Sequence, residues 1–71
     1  MKLTLKAARV NSGLTQKDAA NRLNVTNDTI GNWERGKSFP DAVAIGNIEK
    51  VYGVRYDELI FLPKNNALSV N

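Results

Sequence analysis

Cysteine and histidine are both absent from the 71 residues. Without cysteine there is no disulfide framework and no thiolate metal site. Without histidine there is no imidazole base or ligand, which removes a large share of small-enzyme mechanisms. No nucleophile, base and orienting group stand at a catalytic spacing, so neither an enzyme nor a cofactor is expected. No apolar run approaches the length that crosses a bilayer, and Met1-Lys2-Leu3-Thr4 lacks the long apolar segment of a signal peptide. A cytoplasmic protein with no membrane partner and no small-molecule ligand is the expectation. Charge of one sign is also scarce: ten Lys and Arg against seven Asp and Glu leave a net +3. That mild bias toward polyanions would suit a DNA binder, a ribosomal fragment or an indifferent soluble domain equally well.

What the chain does have is legible helix punctuation in a length that allows one small domain. Thr4 can cap a first helix running to about Ser12, with Gly13 as its stop. Thr15 caps a second, and Asp18 three residues later supplies a shortened capping box; this helix ends near Leu23. Thr26 caps a third, closed by Gly36 after Arg35. Asp41, after Phe39-Pro40, caps a fourth that Gly53 stops. Tyr56 to Phe61 has the apolar content of a fifth helix, although Arg55 stands where a Ser or Thr cap is expected. Leu5, Ala8, Leu14, Ala19, Leu23, Ile30, Trp33, Ile45, Ile48 and Tyr52 recur at spacings of three and four, which assigns them to a core. Val54, Leu59 and Ile60 are expected to close it. The pattern predicts a compact all-α domain of five helices over residues 1–62, followed by a polar, frayed tail at 63–71.

Gln16 to Trp33 carry the functional signal. Ala20 is small where helices two and three would cross. Asn24 sits at the bend, and asparagine tolerates left-handed backbone better than other non-glycine residues. Val25, Ile30 and Trp33 give helix three one apolar side. Asn27, Asp28, Gly31, Asn32 and Arg35 fall on the other, within an arc of roughly 140°. A helix anchored on one face and short and polar on the other suits a DNA major groove, where Asn matches adenine N6 and N7 and Asp can accept from cytosine N4. Gly31 is a weak helix former, which either close approach of the backbone to bases or a tolerated weak spot would explain. Helix N-termini at Thr15 and Thr26 offer backbone N–H groups to phosphates, with Gln16, Lys17, Lys37 and Ser38 around the same surface.

These residues resemble the Cro/CI-type helix-turn-helix family of phage repressors and related bacterial regulators, whose fold is lambda-repressor-like. The resemblance spans Leu5 to Ile60. It rests on Arg9, Gly13-Leu14-Thr15-Gln16, Ala20, Thr29-Ile30, Trp33-Glu34, Gly36, Pro40 and Tyr52-Gly53-Val54. It implies that Gln16 contacts DNA from the start of helix two and that Asn27, Asp28 and Asn32 read bases. It also implies an ion pair between Arg9 and Glu34, tying helix one to helix three. Thr15, Lys17, Thr26, Arg35, Lys37 and Ser38 are candidates for the DNA backbone, with Arg9 as a further one. Glu49, Gly46 and Arg55 depart from the family pattern, all in the half that members often use for dimerisation.

Two functions follow. The leading one is a transcriptional regulator, most similar to a phage Cro-like repressor, that inserts helix three into the major groove of a double-stranded operator. The other is a modulator or antirepressor that keeps the fold but binds a partner repressor; Asp28 on the reading face and the apolar Leu59-Ile60-Phe61-Leu62 run favour it. One recognition helix reads few base pairs, so a homodimer on DNA or a hetero-complex with another repressor is expected. Phe61 and Leu62, with Phe39, are the candidate interface. Folding back over helix one to complete the core is the equal alternative for the first two.

Overall fold

The computed structural model describes residues 2–61. Leu62 and the predicted tail lie outside the described residues. Among the described residues there are four helices: α1 (Leu5–Asn11), α2 (Gln16–Leu23), α3 (Asn27–Arg35) and α4 (Ala42–Tyr52). Each begins where the sequence places a cap. The Thr4 hydroxyl accepts from the Ala7 N–H at 3.1 Å, Thr26 from Thr29 at 3.1 Å, and the Asp41 carboxylate from Ala44 at 2.8 Å. At α2 the capping box is complete, because Thr15 Oγ1 accepts from the Asp18 N–H at 3.0 Å and Asp18 Oδ2 accepts from the Thr15 N–H at 3.1 Å. These bonds satisfy donors that helical geometry leaves without partners. The N–H that Thr15 donates to the Asp18 carboxylate favours its ionised form and lowers its pKa.

The bend between α2 and α3 is a single left-handed residue, Asn24, at φ 59° and ψ 44°. It lets the chain turn within three residues, and the Val25 N–H returns to the Ala20 carbonyl at 2.9 Å. Ala20 is buried at this crossing, as its size allows. The core is Leu5, Ala8, Ala19, Ala20, Leu23, Ile30, Trp33, Ile48, Tyr52 and Leu59. Leu14, Val25, Ala44, Val51 and Val54 pack partly against it. Ile45, assigned to the core by periodicity, is half-buried, because α4 presents Ala44, Ile48, Val51 and Tyr52 inward.

The fifth helix is not formed. Tyr56–Glu58 is one 3-10 turn, followed by an extended pair, β2 (Leu59–Ile60), which runs parallel to β1 (Leu3–Thr4) with Leu3 opposite Leu59 and Thr4 opposite Ile60. The fold is therefore four helices with a two-residue strand pair, not five helices. Arg55 caps nothing with its side chain. Instead Glu58 Oε1 accepts from the Arg55 N–H at 2.9 Å and Glu49 Oε2 from the Tyr56 N–H at 2.7 Å, which closes the turn and gives Glu49 its role. Strand geometry then alternates the side chains: Leu59 is buried, while Ile60 is 42% exposed and so does not close the core. A Cβ at Gly46 would meet nothing within 4 Å, so this glycine answers to no packing demand. Among the described residues no helix is long and apolar enough to cross a membrane.

Candidate nucleic-acid interface

A buried polar network fixes α3 against α1 and α2. Arg9 is 7% exposed. Its Nε donates to Glu34 Oε2 at 2.6 Å and its NH2 to Glu34 Oε1 at 3.2 Å, a two-point contact with α3. Its NH1 donates to the Leu14 carbonyl at 2.9 Å, in the loop between α1 and α2. Gln16 Nε2 donates to the same Glu34 Oε1 at 3.1 Å, so the first residue of α2 is tied to α3 as well. No buried side-chain polar atom is left without a partner among the described residues. The hydrogen bonds that Arg9 donates to Glu34 hold its guanidinium above its ordinary pKa against the opposing effect of burial. Close by, desolvation and then the Glu34 charge push the Tyr52 phenol up to about 12.

This geometry assigns Arg9 to the interior. With each guanidinium nitrogen engaged and the residue buried, it ties α1 to α3 and to the loop before α2. Gln16, expected at the DNA, is half-buried with its amide N–H on Glu34.

The polar side of α3 divides into two parts. At its first turn Asn27 and Asp28 are exposed, with Thr26 beside them. One turn on, Arg35 NH2 donates to Asn32 Oδ1 at 3.0 Å, and Gly31 is buried between the two. The covering of Gly31 by its own chain could not be read from the sequence, because it depends on the path of the Arg35 side chain. Ile30 and Trp33 occupy the opposite face, 1% and 9% exposed. Beyond α3, the Lys37 N–H bonds the Asn32 carbonyl at 2.9 Å, which holds the exposed Lys37 close to the helix end. Ser38 is half-buried, while Thr15 and Lys17 are exposed at the start of α2.

The aromatic residues Phe39, Tyr56 and Phe61 form a group of their own. Phe39, 49% exposed, meets the half-buried Phe61 edge-on with ring centres 6.3 Å apart, and Tyr56, 54% exposed, lies 5.9 Å from Phe61. Phe61 also packs partly against the core.

Residues 5–59 match the Helix-turn-helix family. Among curated proteins, the chain is similar to the HTH-type transcriptional regulator ImmR of Bacillus subtilis (strain 168). The two are 39% identical over 56 residues, which is 79% of this chain and 44% of that protein. It is 36% identical over 56 residues to the HTH-type transcriptional activator BcrR of Enterococcus faecalis, covering 79% of this chain and 28% of that protein. It is 37% identical over 51 residues to the Endothelial differentiation-related factor 1 homolog of Danio rerio, covering 72% and 35% respectively. The chain thus spans less than half the length of these curated relatives. No solved structure matches it significantly.

Proposed function

The chain belongs to the Cro/CI-type helix-turn-helix family, and on that premise we propose that it is a sequence-specific DNA-binding transcriptional regulator. In this reading α3 lies in the major groove of a double-stranded operator, as in a small Cro-like repressor. One observation carries the reading: α3 is fastened by Ile30, Trp33 and the buried Arg9–Glu34 pair on one side and is polar on the other. A rigid anchor matters because a base contact survives only if the side chain that makes it is held in register. Asn27 and Asp28 meet base edges, Asn32 follows one turn later, and Gln16 reaches the groove edge from the start of α2. Thr15, Lys17, Thr26, Lys37 and Ser38 contact phosphates.

Asn27→Ala and Lys17→Ala separate these roles. Asn27→Ala is expected to lose about 1–3 kcal/mol of binding to the preferred site and to relax preference at particular base pairs. Lys17→Ala is expected to weaken all sequences alike and to lower the salt slope of binding by about one. Titrations of operator and random duplex at several salt concentrations check both. A uniform loss from Asn27→Ala would remove it from base reading.

A second reading is favoured by the aromatic group in which Phe39 and Tyr56 are exposed beside the half-buried Phe61. There this chain meets a second copy or a partner repressor, either to pair two recognition helices about 34 Å apart on DNA or to act as a modulator. An electrophoretic shift against random competitor DNA distinguishes the two functions, since a modulator alone shifts no specific duplex.

A further inference from the structure

We propose that Arg35 reads a guanine in the major groove, with Gly31 as the bed for its guanidinium and Asn32 as the residue that positions it. The proposal rests on the reading of α3 as the major-groove helix. From the sequence Arg35 is a phosphate contact at the rim, but its geometry is different. Helical side chains lean toward the helix N-terminus, so Arg35 passes over the residue four earlier, Gly31. A Cβ built on Gly31 would stand 3.0 Å from Arg35 NH1, 3.4 Å from NH2 and 3.5 Å from Cζ. The guanidinium therefore rests against a bare backbone that any other residue would occupy. Gly31 is buried although it shares a face with exposed Asn27. The Asn32 side-chain oxygen Oδ1 accepts from NH2 at 3.0 Å and fixes the group from the side.

Two consequences follow for recognition. Among the described residues Arg35 has no carboxylate partner, the ion pairs being Arg9 with Glu34 and Arg55 with Asp57. Its charge is thus carried onto the middle of the polar face without being neutralised. Its remaining donors keep the planar fork that matches guanine O6 and N7, the pairing with the greatest specificity available to arginine in this groove. A phosphate also accepts such a fork, and selection of bound duplexes separates the two. The arrangement gives Gly31 a reason that helix propensity argues against: the space left by the missing side chain is filled by Arg35.

Selection of bound duplexes from a random pool, at one stated salt concentration, tests this with the parent chain, Arg35→Ala, Arg35→Lys and Gly31→Ala. Circular dichroism verifies that α-helix is retained, which Gly31→Ala favours. The parent is expected to enrich a guanine that Arg35→Ala no longer prefers, with discrimination at that position falling about ten- to hundred-fold. Arg35→Lys loses the same preference because an ammonium has no fork. Gly31→Ala, with the net charge unchanged, weakens that one preference more than it weakens binding to random duplex. If Arg35→Ala instead weakens every sequence alike with the guanine pattern intact, Arg35 is a phosphate contact; the proposal fails while α3 remains the reading helix. A Gly31→Ala protein with undiminished guanine preference overturns the bed. A parent chain that enriches no sequence overturns the reading of α3 itself, and this proposal with it.

Discussion

Glu34→Ala is expected to cost about 3–5 kcal/mol, a large part of the stability of a domain this small. The carboxylate accepts two bonds from Arg9 and one from Gln16, and its side chain is 6% exposed against 9% for that of Arg9. Truncation leaves a guanidinium buried with only the Leu14 carbonyl to face. The cost is that of the stranded charge and not the net worth of the pair, since desolvation offsets much of the attraction. Accordingly the double variant Arg9→Met/Glu34→Leu is expected to recover most of the loss. Urea unfolding followed by the fluorescence of Trp33, the single tryptophan, measures both. A Glu34→Ala midpoint equal to the parent's would show that the network positions helices without bearing on stability.

Trp33→Ala is expected to cost a similar 3–5 kcal/mol, from lost transfer energy and the cavity left behind. Trp33 is 9% exposed and packs in a cluster with Leu23 and Ile30, where α2, α3 and α4 meet. No disulfide can compensate, as the chain has no cysteine. The variant should be largely unfolded near room temperature, with far-UV circular dichroism as the check because the fluorescent probe is gone. A variant that melts like the parent would place Trp33 outside the core and remove the anchor from the back of α3.

Local chemistry made most of this legible. Each helix start could be read from a Thr or Asp, because a cap needs only a side-chain oxygen at one position, and the α2–α3 turn from Asn24, because few residues accept its backbone. Ile30 and Trp33 could be assigned to the inner face from spacing alone. The fifth helix is not legible for a physical reason: a stretch as short as Tyr56 to Phe61 has apolar residues that fit either period. What decides is Leu3, at the far end of the sequence, against which Leu59 pairs. At the candidate site, the Arg9–Glu34 pair was implied only by family resemblance. The bond from Gln16 to Glu34 and the resting place of Arg35 on Gly31 were not legible, since both depend on side-chain paths that only the packed helices define. The Gly31 signal was present as an unfavourable residue in mid-helix, but nothing in its neighbours named the group that fills the space.

The central claim is that α3, anchored by Glu34 and Trp33, reads bases. Its most direct test is the equilibrium binding of the parent chain to duplexes recovered from a random pool, compared with unselected duplex at the same ionic strength. The account predicts one recurring motif, bound at least about a thousand-fold more tightly than random DNA once two reading units are engaged. Recovered duplexes that share no motif and bind no better than the starting pool would contradict it.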